Sequence, residues 1–445
     1  MTRDLRASSD GPLVRAWHWL ARGPWGASLA ILVLSLSLQG FLLSKVPASW
    51  VEPNTRWELP AIAVSLATTG RFADAYALPT GPTAHLPPVP PAIYAVIYWL
   101  FGLSATAGYV AWFSDMATYA SLWALLPWVA TRVGLPRRAG VLAGFTGALV
   151  PRWPGHGEAL AALAMAVLMA AFARRWSAGT TPGGSLLLGV AAGAAFHVQP
   201  ALLPVVLGWL AFEVWWNRQA RKWLHAMVVG GGIVLACLPW TLRNHRAFDA
   251  WFFVRSNFGL ELRMGNHEGA EATMDAMDRA REHLHVHPRA MEDEARKVQE
   301  LGEAVYMRRA GREAVTWIAA NPGRFAELTA TRVVHWWLGP LDDVPTGLAL
   351  TLLTLLALAG AWRVGPSLTV PGRAALVVPA LTYPLVYYVM AYMARYREPM
   401  DWLLLLAAGA GVWSWIGATP LRDGQPPGGR PRASGPVDDG RDGPA

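Results

Sequence analysis

Apolar runs recur along the chain, and several approach the length of about 20 residues that a helix needs to cross the hydrocarbon core of a membrane. Hydrophobic residues make up 53% of the chain and charged residues 15%, whereas about a quarter of the residues in soluble domains are charged. The sequence therefore predicts an all-α polytopic membrane protein with about ten transmembrane helices. The predicted spans are residues 27–44, 106–131, 139–151, 158–174, 184–198, 200–217, 223–240, 345–363, 374–393 and 400–418.

Basic residues are concentrated in alternate short loops between these spans. The positive-inside rule assigns such loops to the cytoplasm. Both chain termini are then cytoplasmic, and residues 45–105 and 241–344 lie on the opposite, outer face. The basic residues that set this orientation are Arg132, Arg137 and Arg138; Arg174 and Arg175; Arg218, Arg221 and Lys222; and Arg363 and Arg373.

This topology divides the chain into five parts. The arginines before the first span are not followed by a small-residue cleavage pattern, which predicts an anchor and not a cleaved signal peptide. The end of the chain is rich in Gly, Pro, Asp and Arg, which is typical of disorder. The parts are a cytoplasmic segment 1–24, a transmembrane module 25–240 that includes the first outer loop 45–105, a soluble outer segment 241–344, transmembrane helices 345–418 and a disordered cytoplasmic tail 419–445.

The first outer loop is predicted to contain a short helix, a proline-rich elbow and a helix that lies in the membrane interface. Apolar residues from 59 to 66 have helical spacing, and Gly70 ends that pattern. Residues 79–91 contain six prolines, which favour an extended entry into a helix. Residues 88–102 are too short to cross the membrane comfortably, so we expect an interfacial helix that contacts lipids through Tyr94, Tyr98 and Trp99.

Carboxylates are scarce on the predicted outer face of the first half of the chain. Glu52, Glu58 and Asp74 are the acids of the first outer loop. Glu58 and Glu52 are therefore the candidates for a general base at the outer membrane surface, although a glutamate in a loop is more often simply solvated. His85, within the elbow, is a candidate for substrate binding, although an isolated histidine is more often a turn residue or an interfacial donor.

Several motifs together resemble the bacterial GT-C fold glycosyltransferases, in particular the dolichyl-phosphate-mannose protein mannosyltransferase-like and lipid A aminoarabinose transferase-like group. This resemblance covers most of the chain apart from its two tails, and it implies that an acid of the first outer loop, here Glu58, is the catalytic base. The motifs are ELPAIAVSLATTGRFADAY from Glu58, PTGPTAHLPPVPPAIYAVIYWLFG from Pro79, PWTLRNHRAF from Pro239, RSNFGLELRMGNHEGA from Arg255 and RYREP from Arg395.

Cations on the predicted outer face are candidates for phosphate binding. Arg395 and Arg397 lie two residues apart between two spans, and guanidinium groups suit bidentate phosphate recognition. Arg243 and Arg255 lie at the start of the large outer segment. The alternative is that such arginines only reach toward lipid headgroups.

The outer segment 241–344 contains 14 Lys plus Arg between residues 241 and 340 and as many Asp plus Glu. This balance is typical of a folded soluble segment. Residues 289–319 predict amphipathic helices that cap the membrane core. The loop before them carries Asn257, Glu261 and Asn266, which are candidates to hydrogen-bond sugar hydroxyls, with ordinary turn chemistry as the alternative.

The sequence has no nucleotide-binding or D-x-D motif, which suits a donor that is not a nucleotide sugar. No cofactor and no metal site are predicted, although a need for a divalent cation stays open. His283, His285 and His287 alternate, but a tetrahedral zinc site needs further ligands. No nucleic-acid partner is expected.

These observations predict a membrane glycosyltransferase that moves a hexosyl or pentosyl group from a polyprenyl-phosphate carrier to a lipid, glycan or protein acceptor. The expected location is the bacterial inner membrane, with the active site facing the periplasm or the exterior. Two alternatives stay open. A transporter or flippase of a lipid-linked or small polar substrate would carry ionisable residues at mid-membrane, for which Asp115 is a hint. A non-catalytic scaffold would tolerate changes at Glu58.

Overall fold

The computed structural model describes residues 25–53, 57–152, 157–216, 222–280, 286–340 and 343–416. Within these ranges the chain forms 18 α-helices and no β-strand beyond two isolated bridges. The predicted segments 1–24 and 419–445, as well as His283 and His285, lie outside the described residues.

Ten of these described α-helices lie in the first half of the chain. They are α1 (Gly26–Leu43), α2 (Ala48–Val51), α3 (Glu58–Thr69), α4 (Val89–Phe101), α5 (Ala105–Arg132), α6 (Arg137–Leu149), α7 (Glu158–Ala178), α8 (Pro182–Phe196), α9 (Leu203–Trp216) and α10 (Lys222–Phe248).

The described residues of the second half form the other eight α-helices and three short 3₁₀ helices. The α-helices are α11 (Phe258–Gly265), α12 (Met274–Ala280), α13 (Glu292–Leu301), α14 (Glu303–Ala320), α15 (Pro322–Leu338), α16 (Val344–Val364), α17 (Val370–Thr382) and α18 (Glu398–Ile416). The 3₁₀ helices are Gly365–Ser367, Tyr383–Val389 and Ala394–Arg397, and a further one, Pro200–Leu202, precedes α9.

Each predicted transmembrane span overlaps a helix among the described residues, which confirms the all-α polytopic class. Five helical segments are long and apolar enough to cross a membrane, and four shorter apolar helices accompany them in the described ranges. The five are Gly26–Leu43, Glu158–Ala178, Trp223–Phe248, Val344–Ser367 and Ala394–Ile416. The number of ten crossings stays a prediction.

Two predicted spans differ from the helices that contain them. The span 374–393 is not one α-helix, because α17 ends at Thr382 and the chain continues as the 3₁₀ helix Tyr383–Val389. Pro384 supplies no amide hydrogen and so cannot extend the α-helical ladder. The span 223–240 is too short as predicted, since α10 passes through Pro239 and ends at Phe248.

Glycines let pairs of helices approach closely. A Cβ atom added to Gly189 of α8 would lie 2.1 Å from the carbonyl oxygen of Val229 in α10. One added to Gly411 of α18 would lie 2.5 Å from the Cα atom of Gly360 in α16. Small residues at such crossings allow backbone contact within a membrane. Glycines thus allow the backbones of the helix pairs α8–α10 and α16–α18 to pack closely.

The first outer loop has the predicted order of helix, elbow and helix. Gly70 ends α3 in the left-handed conformation, with φ at 70°, and α4 covers the predicted interfacial helix. The prediction that Tyr94 and Tyr98 reach the headgroups is wrong, because both are buried against the protein, whereas Trp99 is 72% exposed. The Tyr94 hydroxyl donates to Asp115 at 2.6 Å.

The segment that is predicted to lie on the outer face shares a hydrophobic core with the first loop. Ile62 and Phe72 from the loop pack with Leu260, Val298 and Met307 from the segment. Because this core is built from both parts of the chain, residues far apart in sequence are fixed beside each other. It is this arrangement that positions the candidate site.

Candidate active site

A cavity of about 710 Å³ is lined by the first loop, the amino end of α7, the start of α9, the loop before α11 and the turn before α18. Its apolar lining includes Leu203, Phe253, Phe258, Met264, Val386 and Met390. Its charged lining comprises Glu58, Glu158, Glu261, Asp278, Arg255, Arg289 and Arg395, together with His85 and His287. The cavity therefore joins an apolar surface to a group of carboxylates and cations.

Two cavity carboxylates begin helices. Glu58 is the first residue of α3 and Glu158 is the first residue of α7. The amino end of a helix carries a partial positive charge that favours a carboxylate. Both carboxylates therefore lie at the cavity beside the amino end of a helix.

A histidine from the outer segment meets Glu58. The Nε2 atom of His287 lies 3.6 Å from Oε1 of Glu58, and both side chains are mostly buried. The backbone amide of Arg289 donates to Nδ1 of His287 at 3.0 Å. The ring of His85 stands edge-on to the ring of His287, with centroids 6.0 Å apart.

A buried carboxylate outside the cavity lining holds the elbow. Glu303, the first residue of α14, accepts hydrogen bonds from the Thr83 hydroxyl at 2.6 Å and from the Ala84 amide at 2.7 Å. The Ser256 hydroxyl donates to the same group at 2.6 Å. Burial raises the pKa of Glu303, while these hydrogen bonds favour its ionised form. Glu303 thus links the elbow to the loop before α11.

His85 is 3% exposed and lies within this clamped elbow. Its Nδ1 atom is 3.1 Å from the Tyr76 hydroxyl. Burial lowers the pKa of His85 well below its ordinary value, and Arg255 and His287 act in the same direction. The imidazole is therefore neutral near pH 7.

The loop before α11 and the first turn of α11 bring three predicted residues into one network. Arg255 donates from Nε to the carbonyl oxygen of His85 at 2.9 Å, and its terminal nitrogen lies 3.9 Å from Glu261. Asn257 donates to the same Glu261 oxygen at 2.8 Å. Arg255, Asn257 and Glu261 all line the cavity. The loop before α11 and the first turn of that helix together contribute both charge signs.

Arg395 faces Glu158 across the cavity lining. Its Nε atom lies 3.8 Å from Oε1 of Glu158, and its guanidinium group lies over the Tyr396 ring at 5.5 Å. Oε2 of Glu158 accepts no hydrogen bond from the residues that the structure describes. A buried carboxylate oxygen of this kind is suited to accept a hydrogen bond from a substrate hydroxyl.

Four predicted site residues lie outside the cavity lining. Glu52 is exposed at the end of α2. Arg243 donates to the carbonyl oxygens of Thr83 at 2.8 Å and Phe72 at 2.9 Å, and so holds the elbow from behind. Asn266 is buried and donates to two carbonyl oxygens, of Leu262 and Val389, at 2.8 Å each.

Arg397 is the fourth, and its surroundings are structural. The side chain is fully buried and its Nε donates to Asp401 at 3.0 Å. Its other nitrogens donate to the carbonyl oxygen of Trp336 at 3.0 Å and to the Thr354 hydroxyl at 3.1 Å. The expected pair of phosphate-binding arginines is therefore divided, because the 3₁₀ turn Ala394–Arg397 points Arg395 to the cavity and Arg397 into the helix bundle.

Glu58, His85 and His287 form a group whose ligand atoms lie within 4.8 Å of one another, which is the spacing of a metal site. A histidine that binds a metal normally donates its second ring N–H to an acceptor. His287 does the opposite, because its Nδ1 accepts the Arg289 amide. In the neutral ring the proton is then on Nε2, the atom that faces Glu58. The group therefore presents a ring N–H to Glu58, an arrangement that suits the pair better than metal binding.

Several residues at the site fall outside the sequence prediction of its binding and catalytic groups, among them Glu158, His287 and Glu303. Glu158 had a usable signal, since it begins a predicted span at its outer end. In the sequence, His287 stands out only as one of three alternating histidines. Glu303 had no local signal, because its partner Thr83 is 220 residues away in the chain.

No protein-family model and no curated protein matches the sequence. Comparison of the fold with solved structures identifies the class: the chain has the GT-C fold, as the resemblance implied. The solved structure that carries this conclusion is the archaeal oligosaccharyltransferase AglB from Archaeoglobus fulgidus, in complex with an inhibitory peptide and a dolichol-phosphate.

The likeness to AglB extends over 91% of this chain and 51% of the AglB chain, with a TM-score of 0.55 and 14% sequence identity. This chain thus spans about half the length of AglB. At such low identity the likeness establishes the fold, and the activity of this chain has to be argued from its own cavity.

Proposed function

We propose that this protein is an integral-membrane glycosyltransferase. It transfers a monosaccharide from a polyprenyl-phosphate carrier to a lipid, glycan or protein acceptor on the extracytoplasmic face of a bacterial inner membrane. The observation that carries the proposal is the convergence of Glu58 with Arg255 and Arg395 at a cavity that also has an apolar lining.

Each part of the cavity suits one part of such a donor. The apolar side chains offer a surface to the first isoprene units, and the two arginines offer guanidinium groups to a phosphate. In AglB, which has the same fold, the solved complex contains a dolichol-phosphate. That lipid is of the carrier class proposed here, and it supports the proposal as an analogy.

The proposed reaction is a single displacement. Glu58 accepts the proton of the acceptor hydroxyl, and the acceptor oxygen attacks the anomeric carbon of the sugar. The bond between that carbon and the phosphate oxygen breaks, and the electron pair leaves with the polyprenyl phosphate. Arg255 and Arg395 stabilise the charge that develops on the leaving phosphate. Glu158 orients Arg395 and accepts a hydrogen bond from a hydroxyl of the sugar.

The test is reconstitution of the purified protein in liposomes with a panel of polyprenyl-phosphate monosaccharides and a host membrane extract. Release of the free carrier is followed by mass spectrometry. We expect release with at least one donor, and a loss of at least about 100-fold in Glu58→Gln, since a general base contributes about 10²–10⁴-fold. Glu52→Gln is the matched control, because Glu52 lies outside the cavity lining, and it should retain wild-type rates.

One outcome would contradict the proposed function, and another would contradict the role of Glu58 in it. If no donor in the panel releases its carrier, while labelled lipid moves between the leaflets, the protein is a transporter or flippase. If release occurs equally in Glu58→Gln and wild type, the transferase stands but Glu58 is not its base. Melting temperatures of Glu58→Gln and Glu52→Gln in detergent show whether a loss of carrier release in either variant is caused by unfolding.

A further inference from the structure

We propose that His287 is the positioning residue for the Glu58 carboxylate, to which it presents the proton on its Nε2 atom. The inference deepens the proposed function and rests on it, because it assigns a partner to the proposed base. The evidence for this inference is separate from the evidence for the proposed function. It comes from the hydrogen bonding of His287 and not from the set of residues that line the cavity.

The backbone selects the tautomer of His287. The Arg289 amide donates to Nδ1 at 3.0 Å, so Nδ1 offers a lone pair to that amide. A neutral imidazole that accepts at Nδ1 must carry its proton at Nε2. This assignment follows from a backbone donor whose hydrogen position is fixed by the peptide plane.

The proton on Nε2 faces Glu58. The Nε2 to Oε1 separation is 3.6 Å, which is a few tenths of an ångström longer than a hydrogen bond. Contacts of this kind are often long in a catalytic site without substrate and shorten when the substrate binds. One carboxylate oxygen of Glu58 is then held by His287, and the other oxygen is left for the acceptor hydroxyl.

The neighbours of the pair fix its geometry. The His85 ring stands against the His287 ring at right angles, and the elbow that carries His85 is clamped by Glu303. The Arg289 side chain donates to backbone carbonyl oxygens of Ala75 and Tyr76, which anchors the turn that carries His287 to the first loop. The loop and the outer segment are thus joined at the point where the pair forms.

Two substitutions separate the two ring nitrogens. Asn places an amide oxygen near the position of Nδ1, so His287→Asn keeps the acceptor for Arg289 but removes the donor to Glu58. Gln places an amide nitrogen near the position of Nε2, so His287→Gln keeps the donor. A misplacement of a catalytic group by about 1 Å costs about 100-fold in rate.

We therefore expect His287→Asn to lower kcat for carrier release about 10–100-fold with little change in the KM for the donor, and His287→Gln to stay within about fivefold of wild type. In the Glu58→Gln background, His287→Asn should have no further effect, because coupled residues are non-additive. Equal losses in both His287 variants, or additive losses with Glu58→Gln, would overturn the inference. Melting temperatures of the variants exclude simple misfolding.

A measurement that does not depend on activity tests the tautomer itself. In protein labelled with ¹⁵N-histidine, the resonances that vanish in His287→Asn belong to His287. We expect an unprotonated Nδ1 and a protonated Nε2 near neutral pH. A protonated Nδ1 would overturn the inference. A shift of the Nε2 signal on addition of Zn²⁺ or Mn²⁺, together with activity that depends on that ion, would overturn it in favour of a metal site.

The failure of this inference differs from failure of the proposed function. If Glu58→Gln abolishes release and His287→Asn does not affect it, the transferase and its base stand while His287 has no positioning role. If no donor supports release in wild type, the ¹⁵N spectra still decide whether His287 presents its proton to Glu58.

Discussion

At the scale of single residues, Glu303 joins the elbow to the outer segment through one buried carboxylate. Hydrogen bonds to a charged group contribute about 1.5–3 kcal/mol each, and a donor left unpaired in a buried site costs about 1–3 kcal/mol. We expect Glu303→Ala to lower the free energy of unfolding by about 3 kcal/mol, because the Ala84 amide and the Ser256 hydroxyl lose their acceptor.

The measurement is thermal unfolding in detergent, with Glu300→Ala as the matched control. Glu300 is exposed and lies three residues away at the end of α13, so its removal should change the melting temperature little. Equal stability of the Glu303→Ala variant and the control would show that the elbow does not depend on this carboxylate.

His85 gives the folded protein a dependence on pH. In the unfolded chain its imidazole takes up a proton near its ordinary pKa of 6.5, whereas in the folded protein burial holds that pKa well below this value. As the pH falls below about 6.5, the unfolded state binds the proton first, so stability is lost. Above that range the contribution is complete and constant.

We therefore expect wild type to lose stability relative to His85→Asn between pH 7 and pH 5, with a slope of at most about 1.4 kcal/mol per pH unit. The variant has no group that titrates at this position, and its amide oxygen can accept from Tyr76. Unfolding midpoints of both proteins across this range provide the measurement. Parallel pH profiles for the two proteins would mean that His85 does not contribute to the pH dependence of stability.

The residue scale also defines how far the sequence predicts the site. Six of the ten predicted residues line the cavity: Glu58, His85, Arg255, Asn257, Glu261 and Arg395. They could be predicted because carboxylates and arginines are scarce on the predicted outer face of this apolar chain. Arg397 could not be separated from Arg395, because the direction of a side chain in a 3₁₀ turn depends on the turn and not on the residue type.

At the scale of elements, the elbow is closed by two residues in left-handed conformations. Asp74 and Gly81 have φ values of 62° and 77°. The Gly81 amide donates to the Asp74 side chain at 2.9 Å, and the Asp74 amide donates to the Gly81 carbonyl oxygen at 3.0 Å. This closed loop sets the path of the chain toward Thr83 and His85.

We expect Gly81→Ala to destabilise the protein by about 1–2 kcal/mol, because a side chain in the left-handed region meets its own backbone. Gly323→Ala in α15 is the matched control. Neither glycine has an atom within 4 Å of an added Cβ, but Gly323 has helical φ, so alanine there should be neutral or stabilising by up to about 1 kcal/mol. Thermal unfolding of the two variants separates backbone strain from packing. Equal changes in melting temperature would exclude backbone strain at Gly81.

Elements were predicted well where the signal is local and poorly where it is not. The end of α3 follows from Gly70, because glycine adopts the left-handed conformation there at no steric cost. The change from α17 to a 3₁₀ helix at Tyr383 was missed. Apolarity continues through residues 374–393, so hydropathy reports one span, whereas the hydrogen-bonding pattern depends on prolines and on the aromatic cluster around Trp336.

At the scale of the whole molecule, ionisable side chains buried among the helices have partners. Arg175 of α7 and Glu213 of α9 are joined at 2.8 Å, and Asp115 of α5 accepts the Tyr94 hydroxyl. Paired charges of this kind need no transport role to explain them. The cavity, by contrast, is lined by the Glu158 carboxylate and by Arg255 and Arg395. A polar substrate in the cavity could contact these groups.

The orientation of the molecule is the prediction on which the position of the cavity depends. The basic loops place Ser177 on the cytoplasmic side and the outer segment on the other side. Cys237 is 3% exposed and is the single cysteine of the chain, so a Cys237→Ala background carries no thiol. Into it we would introduce Arg308→Cys or Ser177→Cys, both at exposed positions.

In spheroplasts, a membrane-impermeant maleimide should label the Arg308→Cys protein, and it should label the Ser177→Cys protein only after lysis. Arg308 lies on α14, the helix whose Glu303 clamps the elbow beside the cavity, so labelling there reports the side on which the cavity opens. The reverse pattern would place Glu58 and its neighbours in the cytoplasm. Nucleotide-activated sugars are then accessible to the site, and a carrier lipid would no longer be needed to deliver the sugar.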